Sequence, residues 1–368
     1  MSEKIRVGIL GATGMVGQRF ISLLENHPWF EVVVLGASPK SAGKKYVDAV
    51  KSRWEMETPI PKNIKNLKVL SVEEDFDLIS KSVDLVFSAI DLDKNKIVEL
   101  ENKFAAAGIP VVSNNSAHRW TFDVPIIMPE LNFNHLKLID LQRKKRGWKK
   151  GLIVVKPNCS LQSYLPIIFA LKKFKPEAIS VTTLQAISGA GKTFKTWPEM
   201  IDNCIPLIKG EEEKTEQEPL KIMGSINNGK LELEKNIKIS ATCIRVPASN
   251  GHLASVSVSF KKSITLEQII SEIANYKNPI DEFKLPSAPK VFIKYFSEPD
   301  RPQTFTDRNY ENGMGITCGR FRIDFSENKK NNSSKNWKFV ALSHNTIRGA
   351  AGGAILTAEL LVKKGYIK

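Results

Sequence analysis

The stretch Lys4-Ile5-Arg6-Val7-Gly8-Ile9-Leu10-Gly11-Ala12-Thr13-Gly14-Met15-Val16-Gly17 decides the fold class. Residues 4–10 read as a buried strand and Gly11 to Gly17 as a turn. Val16, Phe20, Leu23 and Leu24 then recur at helical spacing over residues 15–26. Residues 31–36 (Glu-Val-Val-Val-Leu-Gly) give the next strand. This is a β-α-β unit of the length that opens a nucleotide-binding sheet. Glycines in such a turn bend the chain sharply and let backbone N–H groups approach a pyrophosphate at the helix N-terminus. Gly11, Thr13, Gly14, Met15, Val16 and Gly17 are therefore the expected cofactor-binding residues.

Outward from that unit, strands are expected at 83–90 and 109–113, with a helix at 94–107 between them. Strands alternating with helices imply a parallel, doubly wound sheet. The pattern changes near residue 151. Residues 151–155 form a short apolar strand stopped by Pro157, 160–174 a helix, and 179–186 another strand. Residues 209–221 are polar and charged, which suits a helix edge or a loop. From 237 the chain alternates (Ile237, Ile239, Ala241, Cys243, then Ala254, Val256, Val258, Phe260), as half-buried strands of an antiparallel or mixed sheet do. A helix is expected at 266–276, a polar hairpin tip at 327–336, and an Ala- and Leu-rich helix over 345–364.

The chain has 368 residues, 42% hydrophobic and 25% charged, which excludes collagen, long disorder and coiled coil. Its four cysteines are too few for a disulfide framework. No C-x-x-C or H-E-x-x-H pattern occurs, so no metal site is expected. No apolar window is long enough for a membrane helix. Lys4 and Arg6 precede an apolar stretch as in a signal peptide, but glycines interrupt it and no A-x-A site follows, so a cytoplasmic protein with reduced thiols is expected. The net charge of +15 raises nucleic acid as a partner. The densest basic run, Arg143 to Lys150, carries no RNA-binding signature and is read as a solvated face; neither nucleic acid nor membrane is expected.

The segment after the second strand, Gly36 to Lys44, holds hydroxyls and cations and no acid. An acid there would bind the ribose 2′-hydroxyl of NAD and repel a 2′-phosphate. Ser38, Lys40 and Ser41 could bind that phosphate, so NADP(H) is the expected cofactor.

Pro157-Asn158-Cys159-Ser160 lies between a strand and a helix. A thiol at a helix N-terminus meets the positive end of the dipole, which lowers its pKa from about 8.5 toward neutrality. Cys159 is thus a candidate nucleophile; the competing reading is a buried structural cysteine, as for Cys204, Cys243 and Cys318. His252, at a strand start after Gly251, is the candidate acid/base among five histidines. Arg245 shares strand parity with Ile239, Ala241 and Cys243, so it points inward and needs an anion, either a protein or a substrate carboxylate. Arg119 lies just past a strand's carboxyl end, where α/β sheets bind ligands, with an internal salt bridge as the alternative.

These pieces together resemble aspartate-semialdehyde dehydrogenase, in its archaeal and fungal branch. The glycine loop, Ser113 to Arg119, Pro157 to Ser160, Gln185 to Gly191, Cys243-Ile244-Arg245, Gly251-His252 and His344 to Gly352 carry the resemblance, in order, from about residue 4 to residue 366. It implies an α/β architecture. A Rossmann-type NADP-binding domain, residues 1–156, is completed by 345–368, whose helix returns to it. An α+β catalytic and dimerisation domain spans 157–344. The implied reaction is NADPH-dependent reductive dephosphorylation of L-aspartyl-4-phosphate to L-aspartate 4-semialdehyde through a Cys159 thioester, a step of lysine, threonine and methionine biosynthesis. His252 would be the acid/base. Asn158, Gln185 and Arg245 would hold the amino acid, Glu218 its amino group, and Arg119 and Lys221 the phosphate. Ser188, Gly189 and Asn345 would lie on the nicotinamide side. The family implies a homodimer or homotetramer. The alternative is a malonyl-CoA or succinyl-CoA reductase of the same fold.

Overall fold

The computed structural model describes residues 3–227, 229–324 and 332–368. β1 (Ile5–Leu10), β2 (Phe30–Ala37), β3 (Val69–Ser71), β4 (Leu85–Ser88), β5 (Pro110–Ser113) and β6 (Leu152–Val155) form one parallel sheet in the order β3-β2-β1-β4-β5-β6. The strands read as unbroken apolar runs because both faces are covered: all four residues of β4, β5 and β6 are buried. The order reverses between β1 and β4, which opens a crevice at their carboxyl ends. β3 is too short to show a period in the sequence.

Helix α1 (Met15–Leu24) starts directly after Gly14. Gly11 has φ +89°, and a Cβ there would lie 2.2 Å from the Ala89 carbonyl oxygen, so no other residue fits. α2 (Lys94–Ala106) is capped by Asp93, which accepts from the Asn95 N–H at 2.9 Å. α3 (Leu138–Arg146) carries half of the basic run. Two of its arginines are structural: Arg143 donates to the Gly151 and Tyr366 carbonyls, and Arg146 holds both oxygens of Asp123. Lys144, Lys145, Lys149 and Lys150 are exposed.

The second sheet contains β7 (Pro176–Gln185), β10 (Lys238–Arg245), β11 (His252–Thr265), β12 (Ile293–Phe296), β13 (Ile316–Ile323) and β14 (Ser333–Ser343); β8 (Ser225–Asn227) and β9 (Lys230–Glu232) form a separate hairpin. Its order is β10-β7-β11-β14-β13-β12, and it is mixed: β10 runs parallel to β7, and β11 antiparallel to both β7 and β14. α4 (Leu161–Ala170) and α6 (Leu266–Ala274) pack against this sheet. Ile179, Val181, Val256 and Phe339 bury themselves in one core with Leu161, Leu165 and Ile168. On the opposite parity Ser180, Thr182, Leu184, Ser255 and Ser257 remain exposed or half-buried in the single chain, and Thr182 pairs with Ser255 on one side and Thr242 on the other.

Three expectations need correction. Residues 209–221 take the helical of the two readings, α5 (Glu211–Ile222), but not as an exposed edge: Glu211, Thr215, Glu218 and Lys221 are buried. The expected 160–174 helix ends at Ala170 and continues as a tight turn over Lys172–Phe174. The last helix, α7 (Gly352–Lys363), is preceded by a π-helical turn, Ile347–Ala351, that departs from helical geometry at Ala350. The Asn345 amide is tied to Gly251 and Ser188, and Arg348 is drawn to Glu130. α7 then buries Ala354, Ile355, Ala358 and Leu361 in the same core as Val7 and Ile9 of β1. Of the expected hairpin tip, 327–331 lie outside the described residues and 333–336 begin β14. Among the described residues, no helix is long and apolar enough to cross a membrane.

Arg348 is 1% exposed, holds both oxygens of Glu130, and lies over the Phe292 ring at 4.8 Å. Glu130→Ala would strand a buried guanidinium, so unfolding in urea should show a loss of about 3–5 kcal/mol. A loss below about 1 kcal/mol would show that this pair does not hold the C-terminal segment in place.

Candidate active site

The crevice between β1 and β4 holds a cavity of about 280 Å³ bordered by Gly11, Thr13, Gly14, Ser38 and Arg53. Gly14 caps α1 without a side chain, so the N–H groups of the first turn, beginning with Met15 and Val16, stay free of side-chain caps. Gly17 packs α1 onto the turn, since a Cβ there would lie 2.2 Å from the Gly11 carbonyl oxygen. Ser38 borders the cavity. Lys40 is exposed, with its carbonyl held by Lys44 at 2.8 Å; Ser41 is buried behind, its N–H on Ser38 O at 2.9 Å. Arg53, not singled out in the sequence, ends the tight turn Lys51–Arg53, donates through Nη2 to the Ala49 carbonyl at 2.6 Å and borders the same cavity as Ser38. The cavity also touches Glu73 and Asp91. A larger cavity of about 540 Å³ lies at the other end of the sheet beside Pro110 and Arg143, away from every residue named above for binding or chemistry.

The second site forms where the loop after β6 meets α4, α5, the β7 and β10 ends, and the segment before α7. Cys159 stands just before Ser160, the N-cap of α4. Asn158 fixes this corner. Its Oδ1 accepts from the Ser160 N–H at 2.8 Å, and its Nδ2 donates to both Glu211 oxygens at 3.0 Å. The Thr215 and Ser160 hydroxyls bond at 2.9 Å, which ties α5 to the same turn. Gly349 closes one side, because a Cβ there would lie 2.9 Å from Cys159 Cβ.

Arg245 is 6% exposed and points inward as its parity requires. Its Nη1 donates to the Ala186 carbonyl at 2.7 Å, and among the described residues no carboxylate forms an ion pair with it. His252, at the start of β11, accepts from the Ala186 N–H through Nδ1 at 3.1 Å. An N–H can only donate, so the neutral ring carries its proton on Nε2. That atom is buried with no protein partner. A Cβ at Gly189 would lie 2.8 Å from Arg245 Nη1 and 3.2 Å from His252 Nε2, so the glycine keeps the gap between them open. Asn345 donates to Ser188 Oγ at 2.9 Å and accepts from the Gly251 N–H at 2.8 Å, joining the turn after β7 to the His252 strand. Gln185 donates to Thr183 Oγ1 at 3.2 Å and to Glu211 at 3.4 Å.

The charges differ from the sequence expectation at the nucleophile. Burial, followed by the charge of Glu211, raises the Cys159 thiol to about 11, while Lys156, Arg119 and Arg245 pull it down. The helix terminus gives less help than expected because Asn158 already takes the Ser160 N–H. Burial and then Arg245 hold His252 neutral, down to about 3.

Arg119 forms the internal salt bridge allowed as its alternative: Nη1 lies 2.8 Å from Glu218 Oε1. The other Glu218 oxygen accepts the Asn158 N–H at 2.7 Å. Lys221 donates to the carbonyls of Arg119, Thr121 and Val124 at 2.6, 3.2 and 2.9 Å. Glu218 and Lys221 therefore brace the loop that carries Arg119 from behind. Besides Arg53, two residues were missed. Glu211 sits one and two helical turns from Thr215 and Glu218 on the same buried face of α5, a spacing visible once the segment is read as a helix. Lys156 follows an apolar strand, and its burial leaves no periodic signal.

Family models match residues 6–139 ("Semialdehyde dehydrogenase, NAD binding domain") and 166–348 ("Semialdehyde dehydrogenase, dimerisation domain"). An aspartate-semialdehyde dehydrogenase of Archaeoglobus fulgidus is 42% identical over 98% of this chain and 99% of its own. One from Schizosaccharomyces pombe is 43% identical, again over 98% and 99%. The crystal structure of aspartate semialdehyde dehydrogenase with NADP from Candida albicans superposes with a TM-score of 0.85 at 37% identity, covering 99% of this chain and 100% of that one.

Burial lowers His118 to about 4 and His252 and His344 to about 3, from the usual 6.5. The unfolded chain then binds more protons than the folded one below about pH 6.5. Stability should be intact above that pH and fall on acidification toward pH 4, by up to about 1.4 kcal/mol per histidine per pH unit. Urea midpoints that stay level from pH 7 to pH 5 would contradict this.

Proposed function

The chain belongs to the aspartate-semialdehyde dehydrogenase family, and from that premise we propose how its own residues run the reaction. It is an NADP-dependent oxidoreductase that converts L-aspartyl-4-phosphate to L-aspartate 4-semialdehyde. The malonyl-CoA or succinyl-CoA reductase alternative is not favoured.

One observation carries the assignment of roles: Arg245 is buried beside Cys159 and His252, and among the described residues no carboxylate forms an ion pair with it. It supports a substrate α-carboxylate as the missing anion. Glu211, held by Asn158 and Gln185, takes the α-ammonium group in place of Glu218. These two contacts set the amino acid in a fixed orientation with its acyl carbon at Cys159. The sulfur attacks that carbon, the bond to phosphate breaks, and a thioester forms. Arg119 receives the phosphate, with Glu218 and Lys221 holding its loop in place. The Nε2–H of His252 donates to the carbonyl oxygen as negative charge develops there. NADPH, when bound, supplies the hydride that reduces the thioester. Collapse of the resulting thiohemiacetal frees the aldehyde and returns Cys159. Ser188, Gly189 and Asn345 would hold the nicotinamide side of the cofactor. The uncapped α1 terminus, with Gly11, Thr13, Gly14, Met15, Val16 and Gly17, takes the pyrophosphate. Ser38 and Arg53 take the 2′-phosphate, with Lys40 and Ser41 shaping that loop.

We also place the domain division at 1–156 with 345–368, and 157–344. The exposed parity of β7, β10 and β11 supports a homodimer formed by stacking two copies of the second sheet, or a homotetramer of two such dimers. Four free cysteines suit a cytoplasmic location.

The direct test is NADP⁺ reduction by the semialdehyde with and without inorganic phosphate. Turnover should require phosphate and vanish in Cys159→Ala; a phosphate-independent rate would refute the acyl-phosphate assignment. Arg245→Lys keeps the charge but loses the two-pronged grip, so kcat/KM should fall by about 10²-fold, equivalent to about 3 kcal/mol. An unchanged value would reassign Arg245 to structure. Ser255→Arg, placed in the middle of the bare sheet face, should sediment as a monomer; an undisturbed oligomer would locate the interface elsewhere.

A further inference from the structure

Strand β10 lies at the edge of the second sheet and ends on Arg245. Its inner side pairs with β7, and the N–H groups of Ala241, Cys243 and Arg245 point away from the sheet. An edge strand leaves such donors open unless something covers them. Glu216 Oε1 accepts the Ala241 N–H at 3.0 Å, and Glu212 Oε1 accepts the Cys243 N–H at 3.1 Å. The Arg245 N–H goes to the Ile205 carbonyl at 2.9 Å, and the Ile205 N–H returns to the Arg245 carbonyl at 2.9 Å.

Both carboxylates come from α5, four residues apart and half-buried. Four residues of helix rise about 6 Å and two residues of strand about 6.6 Å, so this pair matches two successive outward donors of β10. A strand that slid along the helix would set its carbonyl oxygens against the carboxylates, so the pair fixes register as well as contact. Glu211 and Glu212 are neighbours in the chain with different partners. Glu211 bonds Asn158 in the corner that holds Cys159, and Glu212 bonds the strand that holds Arg245. One helix therefore ties together the two halves of the substrate subsite.

We propose that Glu212 and Glu216 are positioning residues that set the enantioselectivity of the site: they lock the Arg245 strand to the helix that carries Glu211, and so fix the carboxylate anchor relative to the ammonium anchor. The inference rests on the reading that Arg245 takes the α-carboxylate and Glu211 the α-ammonium. Three attachments define a handed carbon: the carboxylate at Arg245, the ammonium at Glu211 and the acyl carbon at Cys159. A D-enantiomer satisfies two of them and misses the third. Discrimination therefore depends on how firmly the three points are held relative to one another. Glu212 and Glu216 act through the backbone of β10, and their contacts are with Cys243 and Ala241.

The experiment compares kcat/KM for L- and D-aspartate 4-semialdehyde in phosphate-dependent NADP⁺ reduction. Wild type should favour the L-form by at least about 10²-fold, and a wild type that takes both alike overturns the proposal. The double variant Glu212→Ala, Glu216→Ala should lower that ratio at least about tenfold by raising KM for the L-form, with KM for phosphate and NADP⁺ within about twofold of wild type. The double variant Glu212→Gln, Glu216→Gln keeps an acceptor oxygen at both positions and should restore the ratio. General destabilisation lowers the rate with both enantiomers and leaves their ratio alone. An unmoved ratio in the alanine pair, or no recovery in the glutamine pair, therefore overturns the proposal. Should the alanine pair fail to fold, Glu212→Ala alone is read in the same way. Arg245→Lys separates the premise from the inference, and its ratio should fall as well. An unmoved ratio there removes Arg245 from the substrate and the proposal with it. A ratio that falls there and stays put in the Glu212 and Glu216 variants overturns the proposal alone.

Discussion

Two carboxylates seven residues apart on α5 grip Asn158 from two directions, and the rest of the site depends on that grip. Glu218 takes its backbone N–H and Glu211 its side-chain amide. The buried face of α5 thereby fixes the turn that leaves the first sheet and presents Cys159. The same helix braces Arg119 through Glu218 and Lys221. Ion pairs and hydrogen bonds of this kind, removed from water, are costly to break singly and hold their members to one geometry. The substrate subsite is therefore largely built before any substrate arrives.

The balance of charge around the sulfur follows from this architecture. One carboxylate and burial oppose the thiolate; three cations favour it. Of those cations, Arg119 is paired with Glu218, while Arg245 and Lys156 form no ion pair among the described residues. On the roles proposed above, such a site keeps Cys159 neutral until ligand charges fill the gaps. The neutral His252 ring serves as a fixed hydrogen-bond donor in such a setting, because its second nitrogen is already engaged.

Much of the fold was legible in the sequence. The glycine turn after β1 and the apolar runs of the first sheet report local geometry and burial on both faces, which a single sequence shows directly. The inward direction of Arg245 followed from period-two parity alone. What was not legible depended on tertiary partners. α5 looks like a polar edge because its buried face is made of Glu211, Thr215, Glu218 and Lys221, and hydropathy cannot tell a buried charged network from a solvated one. The start of α7 was misplaced because a π-helical turn kinked at Ala350 precedes it, where Asn345 and Arg348 bond to Gly251, Ser188 and Glu130, all distant in sequence. The thiol's raised pKa was missed because the helix-terminus argument counts the dipole and leaves out desolvation.

The segment from Asn345 through α7 is synthesised well after Cys159, yet it supplies the wall behind that residue and completes the core beneath β1. A nascent polypeptide on the ribosome therefore exposes its cysteine, unshielded, until these residues emerge and dock. Enclosure of this corner therefore waits on residues far downstream of the cysteine it encloses.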